Sequence, residues 1–547
     1  MVKQRHERKR RELKLLVKWC CNSTIFFSGK IKPSPIRLLL RKHKSGMKEF
    51  NASTAQLEEV EEIGKGHPKQ LYMLFFAEMW ERFSFYGMKA LLLAYMVTQL
   101  KFDEPKGYAI LGSYAALVYT MPMFGGMMAD RFLGYRRSVL YGGILMSIGH
   151  LVLAVPQDWS FFYGMAFIIC GNGFFKPNVS SLVGTLYKEN DPRRDSGFSI
   201  FYMGINIGAA LGGILCGYVG ERINWHYGFG LAGIFMIVGL VVFAVGQKSL
   251  GAKGMAPSME VLNRKLGGIL KTEYAIYGGT LLIIPVIVAL FNQYHLMDYI
   301  MFGLGAVSLI FILYTASKLE REAKYKLFAA LVMIVFSTLF WAFYEQNAGS
   351  LNLFAMRNVN MNFFGIDLPA LSVNNFLPPG WVILLSFAAA WLWPWLAKRG
   401  KEPSTPMKFA LSFILLGIGF YVFYLACKTS GSNGLIPLWL FVAGYFFVIC
   451  GELCLSPIGL SMITKLSPPK IVALMMGIWF FASAIGEFLA GKIGAMMSVP
   501  EDVQNNPVQS LPYYADIINK IGLGSIGIGI LLMLLVPVLR KWMKNIH

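Results

Sequence analysis

The sequence predicts an all-α protein that crosses a membrane many times, and three observations carry that prediction. Of the 547 residues 55% are hydrophobic and only 15% are charged, too apolar a balance for a soluble chain of this length. Apolar runs long enough to span about 30 Å of hydrocarbon recur from residue 70 to residue 540. The Lys and Arg of the connecting segments gather in every second loop, as they do on the cytoplasmic side of a membrane.

The elements follow in order. Residues 1–67 read as a basic extension and a polar leader. The first 46 residues hold fourteen Lys or Arg against Glu7 and Glu12, which is +12 of the formal net charge of +21. Subtracting that arm leaves +9 on the other 501 residues, ordinary for many basic loops. Three readings of the arm stay open: binding to anionic lipid or nucleic acid, a solvated disordered tail, and an artefact upstream of a true start at Met47. No nucleic-acid partner is expected. Residues 22–40 lack the sustained apolar core of a signal peptide.

Spans are predicted near 70–100, 108–128, 137–156, 160–186, 197–220, 227–247, 273–292, 297–317, 327–355, 379–397, 408–427, 436–464, 472–497 and 520–540. Their count is fourteen. One set of loops reads DRFLGYRRS, YKENDPRRDS, the linker 248–272, SKLEREAKYK, AKRGKEPSTPMK, TKLSPPK and a terminal RKWMKNIH. The alternate set, with KFDEPKG, PQDWS, ERINW and SVPEDVQNNPVQS among its members, is poor in Lys and Arg. A miscounted helix would break this alternation, and an even count places both termini in the cytoplasm. Residues 68–247 form one six-helix block and 326–547 another, with the linker and two extra spans between them at 248–325. Two six-helix halves around a central cavity are a common plan of secondary transporters. The seven cysteines show neither a disulfide framework nor a metal spacing.

The informative residues are charges inside these spans. EMWERFSFYG, residues 78–87, places Glu78, Glu81 and Arg82 at i, i+3 and i+4, hence on one helical face. That face must look into the protein, because lipid contact would be prohibitive. Lys89, Lys176, Glu345, Glu452 and Glu487 are further charges within spans. Each could be a buried ion pair that pins two helices. A set spread over both halves points instead to a charged substrate and a proton, since a carboxylate near a lysine can exchange a salt bridge for a proton.

These residues carry a resemblance. EMWERFSFYG resembles the Glu-x-x-Glu-Arg-Phe-x-Tyr-Tyr-Gly signature of the proton-dependent oligopeptide transporter family, a branch of the major facilitator superfamily. GGMMADRFLGYRR, GNGFFKPNVSSLVG, FSIFYMGINIGAALGG, FWAFYEQNAGSLNL and GELCLSPIGLSMITKLSP resemble further family segments, in family order, from about residue 68 onward. The resemblance implies the major facilitator fold, two six-helix halves with two extra helices between them. It implies a proton-coupled symporter that imports di- and tripeptides across the inner membrane, needs no cofactor beyond the proton gradient, and works as a monomer.

It also implies roles. Glu78, Glu81, Arg82, Lys176 and Glu345 would couple protons. Arg82 and Lys176 would face the peptide carboxylate and Glu452 its ammonium, with Asn206 and Ser456 adding polar contacts. Tyr86, Tyr119, Trp341 and Trp479 would line the cavity. Lys89 with Glu345 would form the outer gate, Lys176 with Glu452 the inner one; Lys89 also falls on the substrate side. Four positions depart from the family pattern: Phe85 for a Tyr, Pro378 for an Asn with Asn374 and Asn375 nearby, Glu487 for a common Asn, and Lys89 for Arg.

Other classes fare less well. A drug or other small-solute transporter on the same fold is the alternative, although a cation exporter gains nothing from Arg82 and Lys176. An enzyme is not expected: the sequence has no nucleotide-binding loop, and His150 and His226 stand alone. A passive or signalling role would leave the charges purely structural.

Overall fold

The computed structural model describes residues 66–188, 191–456, 459–468 and 471–544. The basic arm, most of the polar leader and the question of a start at Met47 lie outside the described residues. Fourteen helices of eighteen residues or more follow one another among the described residues. They are α1 (Lys69–Thr98), α2 (Glu104–Met128), α3 (Gly134–Leu153), α4 (Asp158–Thr185), α5 (Arg194–Arg222), α6 (Trp225–Gly246), α7 (Thr272–Asn292), α8 (Tyr294–Ser317), α9 (Arg321–Tyr344), α10 (Ala370–Lys398), α11 (Thr405–Lys428), α12 (Leu438–Leu455), α13 (Val472–Met496) and α14 (Pro507–Met543). Helices dominate because hydrocarbon offers backbone groups no partner, so each span must satisfy its own.

Ten spans are apolar enough by composition to cross a membrane. Helices α1 to α4 fall short of that composition, and the reason is packing. A helix enclosed by other helices can carry Gly, Ser, Asn and charges that a lipid-facing one cannot. Helix α1 is of this kind, with Glu78, Glu81, Arg82 and Lys89 all buried. Helices α7 and α8 are the opposite case, only 22% and 17% buried over their apolar windows.

Within the first half α1 packs on α5 and α6, and α4 on α2 and α3. Within the second, α11 packs on α12 and α14, and α9 on α13. The halves meet where α2 lies against α13 and α5 against α10. Helix α7 leans on the first half: Arg137 pairs with Glu273 at 3.3 Å, and the Tyr141 hydroxyl donates to the Tyr277 carbonyl at 2.9 Å. Helix α8 leans on α9 and α13, with Lys492 and Asp298 at 2.6 Å.

Three boundaries differ from the sequence reading. Helix α10 starts at Ala370 rather than 379, because the Glu221 carboxylate accepts from the Ala370 and Leu371 amides at 3.0 and 2.8 Å and caps it. Helix α14 starts at Pro507 rather than 520, capped by Asn506. The span read at 327–355 is broken at the site: α9 ends at Tyr344, a 3-10 turn runs Glu345–Ala348, and a short helix resumes at Ser350–Asn358.

The contact of α1 with α5 is made by glycine. A Cβ on Gly208 would lie 2.1 Å from the Met79 carbonyl oxygen, and one on Gly212 would lie 2.3 Å from that of Phe83. Two backbones in contact press α5 against the turn that carries Arg82. Gly208→Leu is therefore expected to destabilise the protein by about 1–3 kcal/mol, read as a lower midpoint of thermal unfolding in detergent. An unchanged midpoint would mean that the two backbones do not meet there.

Candidate functional site

The first charge cluster is built by helical spacing. Glu78, Glu81 and Arg82 share one face of α1, and all three are buried. The Arg82 guanidinium donates to both oxygens of Glu81, from Nη2 at 2.6 Å and from Nε, while Nε lies 3.3 Å from Glu78 Oε1. Glu78 Oε2 has no hydrogen-bond partner among the described residues. The rings of Phe85 and Tyr86 flank the guanidinium at 5.2 and 6.0 Å. Phe85 thus packs against Arg82 and does not line the cavity, whereas Tyr86 does.

A cavity of about 340 Å³ opens beside this cluster. From the first half Glu78, Arg82, Tyr86, Lys89, Tyr119, Lys176 and Asn206 reach it; from the second, Trp341, Glu345, Glu452 and Ser456. Nearly every residue singled out from the sequence thus meets at one place. Two do not. Glu81 lies behind Arg82, and Trp479 packs on the backbone at Gly459, where a Cβ would come 2.1 Å from its ring.

Lys176 follows two glycines and precedes Pro177 in α4. Around that proline, Asn178 donates to the Phe174 carbonyl at 2.7 Å and Ser181 to the Pro177 carbonyl at 3.0 Å, which stitch the turn. The Lys176 ammonium sits over the Tyr119 ring at 4.6 Å, and among the described residues no carboxylate lies within ion-pairing distance of it. Glu452, across the cavity on α12, accepts instead from the Tyr344 hydroxyl at 2.6 Å. Lys176 and Glu452 therefore stand apart, separated by the cavity. The other pair is made: Lys89 Nζ lies 2.9 Å from Glu345 and 3.5 Å from Glu487.

The cavity lies toward the ends of α4 and α12 that lead into basic loops, where Tyr202 and Ser456 are exposed. The opposite end is sealed by contacts between the halves. Arg357 Nη1 pairs with Glu104 at 2.5 Å and donates to Tyr514 at 2.7 Å, while the Val499 amide donates to the second Glu104 oxygen at 3.0 Å. Asn352 lies between α1 and α10: its Nδ2 donates to the Ala90 carbonyl at 3.3 Å, and its oxygen accepts from Asn374 at 2.6 Å and Asn375 at 2.8 Å. Those two asparagines, beside Pro378, thus hold the Asn352 side chain that reaches the first half; Asn375 and Pro378 also line the cavity.

Sequence reading missed Tyr344, Tyr202, Glu104 and Arg357. Tyr344 adjoins Glu345 in FYEQNAG, so its place at the site was signalled. Glu104 and Arg357 lay in stretches read as loops, and nothing local marked them as partners 253 residues apart.

Arg357→Met leaves the Glu104 carboxylate buried without its cation, an expected loss of about 3–5 kcal/mol. Adding Glu104→Gln should recover part of it in thermal unfolding. Equal losses in the single and double variants would remove this pair from the seal.

Known proteins place this geometry in a family. Residues 136–510 match the model of the POT family. An uncharacterized transporter of Bacillus subtilis, YclF, is 38% identical over 495 residues, covering 88% of this chain and 96% of that one. Dipeptide and tripeptide permease B of Xenorhabdus bovienii is 30% identical over 480 residues, with 87% and 97% covered. The crystal structure of tetrameric PepTSo2 superposes with a TM-score of 0.76 at 30% identity, over 86% of this chain and 98% of that one. With its two six-helix halves and an extra helix pair between them, the chain has the major facilitator fold and belongs to the POT family.

Proposed function

We propose that this protein is a symporter that uses the proton gradient to import di- and tripeptides across the cytoplasmic membrane by alternating access. One observation carries the reading. Arg82 and Lys176 face the cavity from one half and Glu452 from the other, with no ion pair joining Lys176 to Glu452. A dipeptide is a zwitterion whose ends suit those charges, and the aromatic walls of Tyr86, Tyr119 and Trp341 tolerate variable side chains. The cavity volume lies within the range of about 300–1,000 Å³ usual for small-molecule sites. Family membership supports the same substrate class, as does the name of the permease from Xenorhabdus. A cation exporter would meet two repelling groups.

In the proposed cycle the peptide bridges Lys176 and Arg82 to Glu452, with the Tyr344 hydroxyl holding that carboxylate in place. Glu78, Glu81 and Glu345 handle protons: a neutralised carboxyl releases Arg82 or Lys89, and the halves rock. The conformation described has the Lys89–Glu345 pair made and the Lys176–Glu452 pair parted. It is the state open to the basic-loop side, which the distribution of Lys and Arg makes the cytoplasm, with both termini there. Each charge moved gains about 2.3 kcal/mol per 100 mV, roughly fifty-fold accumulation. The gradient alone drives transport, without a cofactor. The monomer is proposed as the transporting unit; tetramers are described for PepTSo2.

Uptake of a labelled dipeptide into proteoliposomes tests this, with a panel of peptides and drugs as competitors. Dissipating the proton gradient should abolish accumulation. Lys176→Ala and Glu452→Gln each lose a charge-assisted contact of about 1.5–3 kcal/mol, roughly tenfold to a hundredfold in peptide affinity. Glu81→Gln should flatten the pH dependence; uptake that persists with the wild-type pH profile would exclude the coupling role of the α1 cluster.

A further inference from the structure

Lys89 does not pair with one carboxylate but with two. Glu345, in the turn after α9, lies 2.9 Å from its ammonium, and Glu487, on α13, lies 3.5 Å from it. The two acids belong to one half and Lys89 to the other. Side-chain exposures of 7% for Lys89, 11% for Glu345 and 5% for Glu487 keep all three largely from water. With both acids ionised the cluster carries one uncompensated negative charge, which a buried site tolerates poorly.

Among the described residues, no second cation lies at ion-pairing distance of Glu345 or Glu487. From α1 Tyr86 faces Glu487, from α2 Tyr114 and Tyr119, and from α4 the more distant Lys176. On α8, which also packs against α13, Asp298 is already paired with Lys492. The Tyr114 hydroxyl is buried without a hydrogen-bond partner among the described residues, and it senses both this cluster and the Glu81–Arg82 pair. A cleft of about 10 Å³, the size of one water, touches Lys89, Glu345 and Glu487 on the sealed side.

We propose that Glu487 turns the outer gate into a two-carboxylate site that shares one exchangeable proton with Glu345. With the proton bound, a single ionised carboxylate holds Lys89 and the gate opens readily. When the proton leaves to water, both carboxylates hold Lys89 and the outer side stays shut. Glu487 is thus a second pH-sensing residue of the transport cycle, an inference that rests on the proton-coupled reading above.

The test has two arms. In proteoliposomes, the fall in dipeptide uptake with rising pH should move at least about one pH unit to the alkaline side in Glu487→Gln and become less steep. Glu487→Asp, which keeps the carboxyl group, should retain the wild-type steepness. A uniform loss at every pH, or an unchanged profile in Glu487→Gln, would overturn the proposal. In the second arm, pH-difference infrared spectra of purified substrate-free protein should contain a carboxylic-acid carbonyl band that Glu487→Gln reduces and Glu487→Asp shifts. An identical band in all three proteins overturns the shared proton whether or not the protein transports peptides. Wild-type protein that shows the band yet takes up no peptide would overturn the transport reading alone.

Discussion

A guanidinium within the span of a membrane protein must find its counter-charges in the protein, and Arg82 finds two on its own helix. Glu78 and Glu81 lie one turn and one residue before it, so the pairs form wherever α1 forms. What remains is to keep lipid away, and much of the packing can be read as a response to that requirement. Glycines on α5 let a second backbone close over Met79 and Phe83. Helix α6 covers α1 as well. The exposed, almost wholly apolar helices α7 and α8 lie outside this enclosure and meet the lipid instead.

The charges that are not satisfied locally are those placed for work. Among the described residues, Lys176 has an aromatic ring beneath it and no carboxylate at ion-pairing distance, and Glu452 has a tyrosine hydroxyl and no cation at ion-pairing distance. Both face the same cavity of about 340 Å³, where a zwitterion can complete them. At the other end Lys89 is doubly paired and the seal is reinforced by Glu104 with Arg357 and by the Asn352 cluster. Paired charges across the halves at one end and parted ones at the other are the electrostatic form of a transporter open on one side. Rocking the halves exchanges the two conditions without moving any charge into lipid.

Much of this was legible in the chain. The helix count survived because loop charge and apolar length are independent signals, and they agreed. The candidate residues converged because each is a polar, charged or aromatic side chain within a span, and most of them turn to one cavity. Boundaries were less legible where a distant group sets them: SVNN reads as a loop until Glu221, from another helix, caps it. Trp479 was placed by resemblance, yet its ring packs against Gly459, on a different helix.

Amino-acid sequence by itself determined the number of spans, their alternation, the local pairing on α1 and the family. Those follow from composition and from spacing along a helix, which need no knowledge of neighbours. Tertiary structure alone decided that Lys89 serves two carboxylates, that Tyr344 rather than Lys176 holds Glu452, and that Glu104 finds Arg357. These partners are 108 to 398 residues apart. Distances of 2.5–3.5 Å between such residues depend on how the halves pack, and no local pattern encodes that.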